Sequence, residues 1–330
     1  MISRAWEAWI AENLLLGIDE CVIIERLLEY GFSQESIQGS LNSVQSSASF
    51  AAASRIVKRS HKLEALAGIK RRLSALHKGR VIARVANLRS DQFLQRFYSQ
   101  NLPLVMTGVV PNWPAYTKWT PDYLASRFGK ASVDVSTKRK SGFEYQLNIE
   151  KNSTRMTLRE YCEMVKTAGE TNEHYLVANN RALEQSGLSD LMDDLEMPSG
   201  ILNKEDADGR TFLWFGPRGT VTPLHHDPMN IFMAQIFGQK QVILIPPDDT
   251  PLLYNDVGVY SRVDIEQPDL NAYPLLTNAR VVKTCLSPGD LLFIPVGWWH
   301  HVRSLSISIG VSFTNFAFPN QFDQEWATGN

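Results

Sequence analysis

Two short segments concentrate the residues able to do chemistry. The first reads Thr222-Pro-Leu-His225-His226-Asp227-Pro. In extended chain, residues i and i+2 share a face, so His225 and Asp227 present an imidazole and a carboxylate side by side, while His226 points the other way. Two such groups suit adjacent positions on a metal ion. The second segment reads Pro295-Val-Gly-Trp-Trp-His300-His301-Val and follows an apolar stretch. It supplies a further imidazole from a distant part of the chain. Two histidines and one carboxylate on one side of an ion leave three positions open, the arrangement of non-haem Fe(II) oxygenases. Zinc hydrolases use the same donors, so the ligands alone leave the metal open. An HxD alone is weak, since a chain with seven histidines can contain one by chance. The weight lies in the order: HxD, then Gly238-x-Lys240, then Pro295-x-x-Trp298-Trp299-His300, each on a strand-like segment. Lys240 stands in an otherwise apolar run, FMAQIFGQKQVILI, where a lysine must either snorkel to water or meet an anion.

Many short strands are needed to bring these segments together. From about residue 81, β-branched and aromatic runs alternate with Gly, Pro, Asn and Asp, the pattern of a sandwich or barrel. Runs expected to be strands begin at Leu104, Arg210, Ile231, Gln241, Arg280, Leu291 and Ser306. Two helices are expected before the sheet closes, over 121–128 and 157–168. Residues 1–80 read as helical instead. Gly17 and Gly31 are stops, Asp19 and Ser33 are caps, and the Ser-rich SLNSVQSSAS reads as a linker. The next helix, 53–78, is basic: Arg55, Lys58, Arg59, Lys62, Lys70, Arg71, Arg72 and Lys78 face one acid, Glu64. Its stripe of Ile56, Leu63, Leu66, Ile69, Leu73 and Leu76 predicts an amphipathic helix lying on the main domain with a solvated polar face. The competing reading is a surface for an acidic partner or nucleic acid.

The quoted motifs carry a family resemblance. WFGPRGTVTPLHHDP, AQIFGQKQVILIPPDD and LSPGDLLFIPVGWWHHVRSL, with LPLVMTGVVPNWPAYTKWTPDYL upstream, resemble the JmjC-domain oxygenases. The likeness is greatest to their cupin-like hydroxylase branch, and it spans roughly residues 85–318. It implies a mainly β fold with helical additions: a double-stranded β-helix, or jelly roll, over 81–330, preceded by a small helical region over 1–80. It implies Fe(II) on His225, Asp227 and His300, with 2-oxoglutarate and O2 as co-substrates. His300 is chosen over His301 by the family's Trp-His pattern. Lys240, fifteen residues after His225, matches the cation for the far carboxylate of 2-oxoglutarate. Thr222 and Tyr175 match its hydroxyl donors, Asn315 an asparagine near the iron-bound end, and Trp214 a pocket wall. Some members carry an asparagine six residues after the first histidine. Ile231 holds that place here and Asn230 sits one earlier, so either a local bulge brings Asn230 to the site or Asn315 and water do its job. Trp298 and Trp299 read as core or pocket wall. The implied reaction is hydroxylation of a C–H bond, with a protein or peptide side chain as substrate. The alternatives are a small metabolite or free amino acid, N-demethylation, a non-catalytic cupin, and a zinc hydrolase.

Bulk properties set the outer bounds. The 330 residues carry a formal net charge of -2 at pI 6.4, so the totals call for neither nucleic acid nor an anionic membrane. Cys21, Cys162 and Cys285 are few and scattered, which argues against a disulfide framework or a thiolate zinc site. No signal peptide and no spanning run is read, and a cytoplasmic location is expected. The N-terminal helices are candidates for peptide recognition or for a homodimer contact.

Overall fold

The computed structural model describes residues 2–76, 81–139, 152–178, 181–185, 187–255 and 258–322. The chain divides into two compact units, Met1–Lys78 and Gly79–Asn330. Lys78 and the boundary expected at residue 80 lie outside the described residues.

The first unit holds helices α1 (Arg4–Leu15), α2 (Glu20–Glu29), α3 (Gln34–Ser46) and α4 (Ala48–Ala75). Gly17 and Gly31 take the left-handed conformation at which helices end, with φ of 81° and 83°. Asp19 and Ser33 cap α2 and α3 by accepting from the backbone N–H of Cys21 and Ser36. Ile10, Ile23, Leu27, Ile37 and Leu41 form a small core. The Ser-rich stretch is not a linker. α3 runs through it to Ser46, and Ser47 accepts from the backbone N–H of Phe50 to start α4 at once. Serine favours caps because its hydroxyl can replace a missing backbone partner, so a serine cluster marks a helix boundary as readily as a loop. The apolar stripe of α4 is not covered by the helical unit's own core. All six of its residues are exposed, Leu76 by 76%.

In the second unit, β1 (Ala83–Ala86), α5 (Ser90–Phe93) and β2 (Leu104–Thr107) lead into α6 (Pro114–Lys118) and α7 (Pro121–Phe128). A hairpin of β3 (Ser132–Ser136) and β4 (Ser153–Thr157) precedes α8 (Leu158–Thr167). Thr157 and Glu160 close a reciprocal capping box at the start of α8. Eight strands follow: β5 (Thr211–Gly216), β6 (Val221–His226), β7 (Ile231–Phe237), β8 (Lys240–Ile245), β9 (Val282–Leu286), β10 (Leu291–Ile294), β11 (Trp299–Ser304) and β12 (Ser308–Phe313). They form two sheets. The larger runs β1-β2-β10-β7-β12-β5 and the smaller β6-β11-β8-β9. Apart from β8 and β9, which pair with each other, successive strands from β5 on pass between the sheets, which gives the double-stranded β-helix of a cupin-like jelly roll. The main core packs the outer face of the larger sheet against the helices, through Phe93, Trp113, Tyr161, Phe215, Phe232 and Phe313. No helix among the described residues is long and apolar enough to cross a membrane.

The long connection from β8 to β9 is tied down by ion pairs, Glu266 with Arg303 and Asp249 with Arg280. Asp249, fully buried, accepts from the backbone N–H of Arg280 at 2.7 Å and from its guanidinium at 2.7 Å. Loss of Asp249 leaves Arg280, 18% exposed, with its longer contact to Asp248 at 3.4 Å, so the cost falls below about 3–5 kcal/mol, the figure for a fully stranded buried charge. Asp249→Ala is therefore expected to lower the melting temperature at about 2–4 °C per kcal/mol for a domain of this size. Differential scanning calorimetry checks it; a shift within about 2 °C, the effect of roughly 1 kcal/mol or less, would show that the pair does not brace the loop.

Candidate metal centre

β6 and β11 are antiparallel neighbours, and their register sets His300 opposite His225. The two imidazole centroids lie 4.1 Å apart. Asp227, just past the end of β6, brings carboxylate oxygens 3.9 Å from His225 Nε2 and 3.4 Å from His300 Nε2. One donor atom from each of the three lies within 4.8 Å of the others, the spacing of a shared ion. Both imidazoles are oriented in the same way. His225 Nδ1 donates to the carbonyl of Pro223 at 2.8 Å, and His300 Nδ1 to that of Trp298 at 3.0 Å. A carbonyl can only accept, so each Nδ1 carries its hydrogen and each Nε2 turns a lone pair to the centre. Burial, with His225 alongside, holds the His300 pKa well below the ordinary value and keeps the ring neutral, as coordination requires.

The register of β6 explains a parity problem. Thr222 and His225 are three apart, which in a regular strand puts them on opposite faces. Between His300 and Val302 the pairing with β6 jumps from His225 to Thr222, so β6 carries one extra residue. That bulge spans Pro223, whose missing N–H suits a break in the ladder. Thr222, His225 and Asp227 accordingly all line one cavity of about 280 Å³.

At the other end of that cavity stands Lys240, only 1% exposed. Its Nζ donates to Tyr175 Oη at 3.1 Å and sits 5.7 and 5.9 Å from the rings of Tyr175 and Trp214. Arg139, also buried, lies over Tyr175 with its guanidinium 5.2 Å from that ring, and donates to Ser136 Oγ and the Val221 carbonyl. Trp214 donates to Ser312 Oγ at 2.8 Å. No carboxylate among the described residues pairs with Lys240. A Cβ placed on Gly310 would stand 2.9 Å from the Ala234 carbonyl and in ordinary contact, 3.8 Å, with Lys240 Nζ, so it is the strand pairing that requires the glycine. A buried cation, a hydroxyl donor and open space fit an anionic group. Three facially placed donors at the far end fit a metal. The residues present therefore suit a metal-chelating dicarboxylate.

Two expected residues are not brought to the cavity. Asn230 faces away, while Met229, Ile231 and Met233 line the wall. No bulge restores it. Instead its Oδ1 accepts from the backbone N–H of Val296 at 2.8 Å, and Asn320 brackets it from the other side. Asn230 thus tethers the turn that leads to His300. Asn315 continues β12 one step past Thr314, and the alternation that sends Ser312 and Thr314 inward sends Asn315 out. It donates to the Asn203 carbonyl at 2.8 Å and accepts at its own carbonyl from Asn203 N–H.

The neighbouring histidines lie behind the site. His226 packs edge-on against Trp299 at 4.6 Å, and burial lowers its pKa to about 4. His301 sits 3.7 Å from Glu266, and burial lowers its pKa to about 4 as well. Trp298 and Trp299 are core, donating to the Asn101 carbonyl and to Thr250 Oγ1. Sequence reasoning missed Tyr260, whose ring stacks on His225 at 5.7 Å and 28°. It lies in an irregular segment with no periodicity to flag it. Ser312 was reachable from strand parity alone.

The model of the cupin-like domain matches residues 90–323. Among curated proteins, lysine-specific demethylase 8 of Xenopus tropicalis is 33% identical over 68% of this chain and 50% of its own length. The Arabidopsis thaliana demethylase JMJ30 is 32% identical over 69% of this chain and 53% of its own. Human tRNA wybutosine-synthesizing protein 5 is 29% identical over 76% and 82%. The chain spans about half the length of the demethylase relatives it matches.

Proposed function

This chain belongs to the cupin-like, JmjC family of oxygenases, and from that premise we propose that it is an Fe(II)- and 2-oxoglutarate-dependent dioxygenase. One observation carries the reading: the buried ammonium of Lys240 faces the same cavity as the His225–Asp227–His300 cluster. The three donors hold Fe(II) and leave adjacent positions open. Lys240 and Tyr175, with Thr222 on the neighbouring wall, hold the far carboxylate of 2-oxoglutarate and fix its distance from the metal. Trp214 closes the side of the pocket and excludes water from that contact. The bound iron and co-substrate supply O2 activation and C–H oxidation, with succinate and CO2 as co-products.

We read the reaction as hydroxylation of a C–H bond on an amino-acid side chain of a protein or peptide. The remaining wall supports it: Val177, Ala178, Met229, Val259 and Tyr260 are apolar or aromatic. Among the described lining residues Asp227 is the one carboxylate, and it is assigned to the metal. Such a wall suits an uncharged group better than a methylated ammonium. The names of the relatives keep a second reading in play, N-demethylation or action on a tRNA base.

Protein loaded with Fe(II) is expected to convert 2-oxoglutarate to succinate slowly without substrate. Peptide pools incubated with it should gain one oxygen, detected by mass spectrometry. Loss of methyl groups instead, or oxidation confined to tRNA, would transfer the assignment to the second reading. Bound iron with no succinate would make the fold a binding module.

A further inference from the structure

The helical unit carries two surfaces that match each other in chemistry yet do not meet within one chain. The first is on α4. Ile56, Leu63, Leu66, Ile69, Leu73 and Leu76 are all at least 45% exposed. At 3.6 residues per turn they share one broad arc of the helix with Arg55, Lys58, Arg59 and Lys62. Over residues 48–76 seven basic side chains face one acidic one. Large apolar side chains left in water on this scale mark an interaction surface.

The second is on α1 and α2. Leu16, Ile18, Val22 and Leu28 are exposed there. Trp9, Ile18, Val22, Glu25, Arg26 and Glu29 line a groove of about 280 Å³, with Arg26 donating to Glu29 at 2.7 Å and Glu25 leaving the groove net acidic. Residues 1–47 carry seven acidic side chains against two basic ones. One surface is thus apolar and cationic, the other apolar and anionic.

We propose that a second copy of this chain joins them: α4 of one protomer lies across the α1–α2 groove of its partner, and the partner's α4 returns the contact. A two-fold pair uses both patches twice, so the interface is self-complementary and closed. The α4 leucines cover Val22 and Ile18, and Lys58 and Lys62 meet the carboxylates of Glu25 and Glu29. Within one protomer this is barred. α4 is one unbroken helix of 28 residues, about 42 Å long. Its start is anchored through Phe50 on the unit's own core, so its exposed length cannot fold back. Other occupants match only half of the surface. Nucleic acid would neutralise the cations and leave six large apolar side chains wet. A bilayer would take the leucines and drag Arg55, Lys58, Arg59 and Lys62, on the same arc, into hydrocarbon.

The test is sedimentation equilibrium on the full chain, wild type and two charge reversals. Wild type is expected to be a dimer at micromolar concentration. Lys58→Glu with Lys62→Glu, and separately Glu25→Lys with Glu29→Lys, should each weaken it at least tenfold. Mixing the two variants should restore a dimer, because each reversed helix then meets a reversed groove. Far-UV circular dichroism and thermal unfolding like wild type show that both variants are folded; the altered residues are all exposed. A monomeric wild type, a dimer indifferent to both reversals, or a mixture that fails to associate overturns the proposal.

Discussion

Asp227→Ala is expected to remove iron and turnover together. Asp227 contributes the one anionic donor of the three, and its oxygens lie 3.9 and 3.4 Å from the two imidazole nitrogens. Without it, two imidazoles 4.1 Å apart share a largely apolar cavity and nothing offsets the charge of a divalent ion. Loss of a group that merely orients a ligand costs about 10–100-fold in metal affinity. Loss of the charged ligand itself exceeds that, so iron should wash out on desalting. Fold is spared, because the Asp227 side chain is 27% exposed and braces no core contact. The check is iron content by plasma emission spectrometry beside succinate formation and melting temperature. A variant that keeps its iron, or keeps turnover, removes Asp227 from the ligand set.

The second large effect separates the two ends of the cavity. Lys240→Met keeps much of the side-chain volume and deletes the charge. It is expected to leave iron in place and to raise the 2-oxoglutarate requirement. A hydrogen bond to a charged group contributes about 1.5–3 kcal/mol, and a buried carboxylate stripped of its cation loses at least that. The half-saturating concentration should therefore rise roughly 10–150-fold. Titration of succinate formation against 2-oxoglutarate, with iron held saturating, measures it. Unchanged half-saturation would place the co-substrate elsewhere in the cavity. The contrast is informative in itself: one substitution acts on the metal, the other on the organic acid.

The metal cluster was legible because its geometry follows from strand parity. An HxD in extended chain has one reading, and the order of His225, Lys240 and His300 along the chain is the order in which the jelly roll delivers them. Lys240 was legible for a simpler reason: a lysine in so apolar a run, if buried, must have a job. Parity also explains the failures. Asn315 matches the family spacing and Asn230 sits one place short of it, yet each stands one residue off the inward-facing row. The rule that excluded them was available from the sequence. Thr222 breaks that same rule and still reaches the cavity, because β6 bulges at Pro223. Nothing in a proline distinguishes a bulge from a strand end before the partner strand is known. The serine cluster before α4 reads as a linker in the sequence because caps and linkers draw on the same residues. The exposure of the α4 stripe had no signal at all. Periodicity reports that a helix has an apolar side, not what covers it.

The paired histidines raise a question of redundancy. His226 and His301 each stand one place from a ligand, which looks like a reserve of imidazoles for the centre. The packing denies it. Both rings are sealed on the reverse of the sheet, one against Trp299 and the other near Glu266. To enlist either, a whole strand would have to turn over and expose an indole in exchange. The centre therefore has no understudy: losing one ligand is final, however many histidines stand nearby.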